Sequence, residues 1–297
     1  MGTNKPVKYA VVDAFTPIEF KGNPAAVCLL EEQKQDVWLQ SLATEFNLSE
    51  TCYLTPLSLS DSAHPRFHLR WFTPVTEVKL CGHATLAAAH YCFTYGLVKG
   101  NTVEFSTISG ILTAKRVFEP KGSGSPESEN VEVKQPYLIQ LDFPAPAVTD
   151  CTMEETSLLS KILGHASVID MKKTALDDLL VVLPSSEDVI DACLELEEIK
   201  KLSERGLIIC AAGPSGSGFD FFSRFFAPNF GIDEDPVCGS AHCALAVYWS
   251  KKLGKCDLHA YAASPRSGTL KLQLDEQNDR VKLLGKAVTV MEGSILV

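Results

Sequence analysis

Hydrophobic and polar positions follow two different periods along this chain, and the changes between them mark out its elements. The apolar, β-branched runs over 7–12 and 25–30, split by the turn signal Gly22-Asn23-Pro24, predict two strands. Between Asp36 and Phe46 the spacing turns helical: Val37, Leu39, Leu42 and Ala43 share one face, and Phe46 closes it. Strands are then expected over 52–54 and 67–72, the second by its alternation. The run 84–93 is alanine-rich and apolar nearly all round, the pattern of a helix buried on every side, with Gly96 as its stop. Short strands over 103–106 and 111–117 follow.

After residue 131 the plan repeats. Strands are expected over 137–141, 178–183, 207–211 and 219–226, and helices over 153–163 and 186–202. A second all-round apolar helix covers 241–249 and stops near Gly254, and strands over 269–274, 281–284, 287–292 and 295–297 complete the chain. The stretch 119–130, rich in Gly, Ser, Pro and charge, reads as a mobile linker. The organisation expected is a first half over 1–120, completed by the terminal strand 287–297, and a second half over 131–286.

Composition narrows the function classes. The 297 residues suffice for two domains, 45% are hydrophobic, and no apolar run reaches the roughly 18 residues of a membrane span, so a soluble protein is expected. The N-terminus lacks a secretory pattern, which makes the cytoplasm the expected location. A net charge of −10 without basic clusters argues against nucleic acid and anionic membranes as partners. The ten cysteines include no Cys-x-x-Cys pair and most sit singly in apolar stretches, so buried free thiols are expected and no metal.

One stretch of chemistry occurs twice. Arg70, Phe72, Pro74, Cys81-Gly82-His83-Ala84, Tyr91 and Ser109-Gly110-Ile111-Leu112 are matched by Arg224, Phe226, Pro228, Cys238-Gly239-Ser240-Ala241, Tyr248 and Ser267-Gly268-Thr269-Leu270. The offset is 154 residues before the Cys-Gly pair, 157 at it and 158 at the Ser-Gly pair, a register that chance would not hold. We read a duplicated unit whose shared site lies where the copies face each other.

Each copy places Cys-Gly at a helix start, where unpaired N–H groups and the positive dipole end attract anions and favour a thiolate. Glycine beside the cysteine lets a ligand approach the backbone. A small carboxylic acid held between the two starts would meet Cys81 on one face and Cys238 on the other, and proton removal by one with return by the other inverts a carbon without a cofactor. A racemase or epimerase at an amino-acid α-carbon is the leading expectation, placing the protein in amino acid metabolism. A disulfide between Cys81 and Cys238 is a further expectation, as a redox switch.

Four ordered blocks carry a family resemblance: Phe20-x-Gly22-Asn23-Pro24-Ala25-Ala26-Val27, Asn47-Leu48-Ser49-Glu50-Thr51, Arg70-x-Phe72-Thr73-Pro74 with Cys81-Gly82-His83-Ala84-Thr85, and Glu234-Asp235-Pro236-x-x-Gly239-Ser240-Ala241. Together they resemble the PhzF, or phenazine biosynthesis-like, family. The resemblance implies an α+β fold of the diaminopimelate epimerase-like type, two pseudo-symmetric halves that are each an antiparallel barrel-like sheet around a central helix. It also implies an isomerase that needs no cofactor, with Glu50 as general base and Gly82, His83, Asp235, Gly239 and Ser240 around a small carboxylic-acid or amino-acid substrate. A homodimer is the assembly it implies. Cys238 stands where the commonest family pattern has threonine, and similarity to the related epimerases and proline racemase places their two catalytic cysteines at Cys81 and Cys238. Two enzymatic readings therefore stand, the cysteine pair with Glu50 as helper and a proton shift run by Glu50. A third is a binding protein that kept the fold and lost the chemistry.

Overall fold

The computed structural model describes residues 6–57, 64–119, 135–163, 167–202 and 205–296. Its elements begin with strands β1 (Val7–Ala14) and β2 (Asn23–Leu29), helix α1 (Asp36–Phe46), strands β3 (Glu50–Leu57), β4 (Arg66–Phe72) and β5 (Glu77–Val78), and helix α2 (Gly82–Thr94). Strands β6 (Thr102–Thr107), β7 (Gly110–Phe118), β8 (Tyr137–Pro144) and β9 (Val148–Asp150) lead to helix α3 (Met153–Ile162). Then come β10 (Asp170–Thr174), β11 (Asp178–Val182), the short helices α4 (Ser186–Ile190) and α5 (Leu196–Ile199), β12 (Gly206–Ala212), β13 (Phe221–Ala227) and β14 (Ile232–Asp235). Helix α6 (Gly239–Leu253) and strands β15 (Asp257–Ala262), β16 (Gly268–Asp275), β17 (Arg280–Gly285) and β18 (Ala287–Ile295) finish the chain.

The described strands form one continuous sheet in which the same series of pairings occurs twice. β1, β2, β3, β4, β6 and β7 neighbour one another in that order, and β10, β11, β12, β13, β15 and β16 do likewise. β8 continues from β7 and pairs antiparallel with β17, Leu141 opposite Leu283, which joins the two series. The terminal strand β18 returns to pair with β1, from Val7 opposite Ile295 to Ala14 opposite Ala287, with a bulge between Val11 and Val12. The repeat reaches individual side chains. Arg70 grips Glu77 with two nitrogens, each 2.7 Å from a carboxylate oxygen, and lies 5.0 Å over the Phe72 ring. Arg224 grips Glu234 at 2.7 and 2.9 Å and lies 5.0 Å over Phe226.

Helices α2 and α6 pack against these strands, which explains why both segments are apolar on nearly every face. Eight positions of α2 from Ala84 to Cys92 are buried, and the side chains around both helices belong to one apolar cluster. The outer faces carry separate clusters: Leu39 and Ala43 of α1 cover Cys28, Tyr53 and Phe72, while Leu159 and Ile162 of α3 with Val189 and Ile199 cover Leu179, Val181, Leu207 and Ile209. Among the described residues, no helix is long and apolar enough to cross a membrane.

The structure corrects three expectations. The sheets are mixed: β2–β3, β4–β6, β11–β12 and β13–β15 pair in parallel. In each case the chain crosses back through a helix before pairing, α1, α2, α4 with α5, or α6, and only a crossover of that length returns a strand in the same direction. The helix expected over 186–202 is broken in two, because Arg224 donates to the carbonyls of Val189, Ile190 and Ala192 that a continuing helix would need. The strands expected over 287–292 and 295–297 are one strand, β18, with Val297 outside the described residues. Beyond Glu119, the linker expected over 119–130 also lies outside them.

Candidate active site

The first turns of α2 and α6 meet head to head. Cys81 and Cys238 are the N-caps, both in extended conformation with no side-chain cap, and Gly82 and Gly239 follow. A Cβ added to Gly82 would lie 3.3 Å from the Gly239 Cα, and one added to Gly239 would lie 3.2 Å from the Gly82 Cα. Glycine at both positions lets the helix starts approach this closely. Their dipoles point at one small volume, which concentrates positive potential there.

Around that volume Glu50, His83 and Asp235 are buried at 6%, 2% and 8% exposure, and Asn23 is fully buried. Glu50 enters at the first position of β3 and His83 from the first turn of α2, with the Glu50 Oε2 2.9 Å from the His83 Nε2. Both atoms are buried, and this contact is an ion-pair approach rather than a well-aligned hydrogen bond. On the other side of the ring, Nδ1 lies 3.0 Å from the Asn23 Nδ2 and 3.5 Å from the Cys81 Sγ. Asn23 also donates to the Asp235 Oδ1 at 2.8 Å and to the Val237 carbonyl at 3.2 Å. The result is a buried row of polar groups in contact, carboxylate, imidazole, amide and carboxylate.

Asn23 is held in place by the turn before it. Gly22 has φ +64°, and a Cβ there would lie 2.2 Å from the Ala14 carbonyl oxygen, so glycine is required. The Gly22 N–H donates to the Ser267 carbonyl at 2.7 Å, and Arg266 donates to the Gly22 carbonyl at 2.9 Å and to the buried Asp13 at 2.8 Å. The loop before β2 is thus clamped to the β15–β16 turn of the other series.

Burial sets the proton affinities here. It pushes Asp235 from its ordinary 3.8 up to about 6, with Glu50 adding to the rise and His83 opposing it. For His83 burial works downward, but the carboxylates of Glu50 and Asp235 outweigh it and the net shift is up. Burial, reinforced by the Glu50 charge, holds the Cys81 thiol well above its usual range. The Cys238 thiol is pushed up to about 12 by burial and then by Asp235, with Arg205 opposing.

Glu50, Cys81 and His83 each offer a ligand atom within 4.8 Å of the others. The close approaches use opposite ring nitrogens, Nε2 toward Glu50 and Nδ1 toward Cys81, and Nδ1 also faces Asn23. This arrangement suits a relay better than a single ion, which binds one ring nitrogen.

Of the residues expected from sequence, Glu50, Cys81, His83 and Asp235 are gathered around Asn23 and the Gly82–Gly239 contact. Ser240 belongs to a second group, its Oγ 3.3 Å from the Cys238 Sγ and accepting from the Arg205 Nη1 at 3.0 Å. Sequence reasoning took Asn23 for a turn residue and passed over Arg205 and Asp178. The Asn-Pro that opens an apolar strand was the one available sign of Asn23; nothing local marks the other two.

The family model described as "Phenazine biosynthesis-like protein" matches residues 12–293. A protein named as an uncharacterized isomerase from Halalkalibacterium halodurans is 39% identical over 288 residues, covering 97% of both chains. A crystal structure of a phenazine biosynthesis protein of the PhzF family from Enterococcus faecalis superposes with a TM-score of 0.83 at 35% identity, covering 99% of this chain and 100% of that one. A probable proline racemase from Agrobacterium radiobacter, at 10% identity, covers 97% of this chain and 92% of its own with a TM-score of 0.59, a likeness of fold alone.

Proposed function

The chain belongs to the phenazine biosynthesis-like (PhzC-PhzF) family, and on that premise we propose that it is an isomerase moving a proton on a small carboxylic acid, with Glu50 as base. The α+β fold is read here as two barrel-like halves with the site between them. The observation that carries the reading is the buried chain Glu50–His83–Asn23–Asp235. Glu50 takes a proton from a carbon next to an electron-withdrawing group, and the helix starts stabilise the negative charge that develops. A protonated partner, His83 or Asp235, returns a proton to a neighbouring carbon, so the balance closes with acid and base alone. Asp235, brought close to neutrality, is suited to hold and give a proton.

A second reading, racemisation by Cys81 and Cys238, draws on the matched N-caps that meet through Gly82 and Gly239. Burial of the thiols counts against it. A thiol pushed up to about 12 costs about 6 kcal/mol to ionise at pH 7.5.

The test is proton NMR in D2O over a panel of small amino, hydroxy and unsaturated acids, with chiral analysis. Deuterium entering at a carbon next to the one deprotonated, lost in Glu50→Gln by roughly 100- to 10,000-fold, is the expected result. Cys238→Ser is expected within about tenfold of the parent. Inversion at the deprotonated carbon that survives in Glu50→Gln and disappears in Cys238→Ser would overturn the assignment in favour of the cysteine pair.

A further inference from the structure

The two copies of the repeat hold different chemistry at matched places. His83 and Ser240 occupy corresponding positions, the second residue of α2 and of α6, 157 residues apart. The parallel ladders behind them start alike, Ala25 opposite Glu50 and Asp178 opposite Gly206. Gly206 therefore stands where the first copy has Glu50, and Arg205 precedes it. In the first copy a carboxylate meets an imidazole. In the second a guanidinium meets a hydroxyl.

Arg205 is mounted rigidly. Its Nε donates to the Asp178 Oδ1 at 2.8 Å and its Nη2 to Oδ2, a two-point grip on a carboxylate with no exposure, and its guanidinium lies 5.2 Å over the Phe225 ring. Gly206 leaves room for that ring, since a Cβ there would lie 2.6 Å from it. The Nη1 donates to the Ser240 Oγ at 3.0 Å. Among the described residues these bonds use three of the five guanidinium N–H donors, and the Arg205 side chain keeps 30% exposure. The Ser240 Oγ in turn lies 3.3 Å from the Cys238 Sγ, which places the guanidinium beside the first turn of α6.

Resting on the acid–base assignment of Glu50, we infer that Arg205 and the Ser240 hydroxyl form the seat for the substrate's carboxylate, so that one copy of the repeat holds the anion while the other works on the C–H bond. A purely structural ion pair would need only Asp178 and Arg205. The third bond, to a hydroxyl in the first turn of α6, directs the cation toward the same amides that favour an anion. The substrate class is a small carboxylate whose reacting carbon lies within reach of Glu50 once the anion is seated.

The test is calorimetric titration with acetate, lactate and benzoate, each against its uncharged amide. The double variant D178N/R205Q removes the guanidinium without leaving a buried carboxylate unpaired, and R205K keeps a charge without the fork. The parent is expected to prefer at least one acid over its amide by roughly 10- to 100-fold, D178N/R205Q to lose that preference at a similar melting temperature, and R205K to keep part of it. Glu50→Gln is expected to keep the preference while losing exchange. A preference that survives in the folded double variant, or no preference for any acid in the parent, overturns the anion seat. Exchange that persists in Glu50→Gln overturns the base assignment instead, so the two failures are read separately.

Discussion

Asp235→Asn should make this protein more stable and less active, and the size of the gain follows from the burial of one carboxylate. In the folded chain Asp235 binds its proton with a pKa of about 6, against an ordinary 3.8 when unfolded. Below 3.8 both states hold the proton and the group adds no pH dependence. Between 3.8 and about 6 the unfolded chain releases it while the folded chain retains it, so stability falls as pH rises. Above about 6 both are ionised and the deficit is constant, about 3 kcal/mol for that interval. Asparagine cannot ionise, and its oxygen can still accept from the Asn23 Nδ2 and the Val237 N–H, which lie 2.8 and 3.0 Å from the Asp235 Oδ1. Urea denaturation of both proteins from pH 4 to 8 measures the difference, and the subtraction removes other raised carboxylates such as Asp13 and Asp178, which both proteins share. The variant should match the parent near pH 4, gain about 3 kcal/mol above pH 7, and lose roughly 100-fold or more in exchange rate. A difference that does not change with pH, or a variant less stable at pH 7.5, refutes the reasoning.

Other expected outcomes are as concrete. Gly82→Ala places a methyl 3.3 Å from the Gly239 Cα, so the helix starts must separate by a few tenths of an ångström. The gain in helix propensity, about 1 kcal/mol, should offset the strain in thermal melting while activity drops roughly tenfold or more, and unchanged activity would show that the contact does not set the site's geometry. Timed alkylation at pH 8 with mass mapping should label the exposed Cys193 and Cys256 first and the buried Cys81 and Cys238 much more slowly. Rapid labelling of Cys81 or Cys238 would instead support thiolate chemistry and the redox switch.

What could be read from the sequence was local. Helix α1 spans Asp36–Phe46 as predicted, but Val37 lies off the buried face of Leu39 and Ala43 and is 77% exposed, since two positions along a helix turn a side chain to the other face; the all-round apolar runs lie in α2 and α6. What escaped depends on distant residues. β10, Asp170–Thr174, carries two lysines and reads as polar, yet it lies between β9 and β11. The break after α4 is imposed by Arg224, more than thirty residues away in sequence. Glu50, Cys81, His83 and Asp235 were found through motifs, but the residue that links His83 to Asp235 was not. Asn23 sits in a Gly-Asn-Pro turn signal, and its role depends on where the chain has carried His83 and Asp235, 60 and 212 residues further on.

Duplication explains why one site can hold groups of opposite character so near each other. Two identical copies would bring equal charges to the helix contact, either two carboxylates that could not both ionise or two cations with no base between them. Here one copy keeps Glu50 and His83, and its counterpart keeps Arg205 and Ser240. Asp178 balances the arginine with a two-point grip. Asp235 enters at the end of β14, from the arginine-bearing copy, and reaches through Asn23 to the imidazole of the other. The buried polar group therefore draws on both copies, and neither holds it alone. A change that separates the helix starts should then lower activity before it unfolds the chain, because the bonds from Asn23 to Asp235 and Val237 cross between the copies at one point while the apolar cluster around α2 and α6 is shared by both.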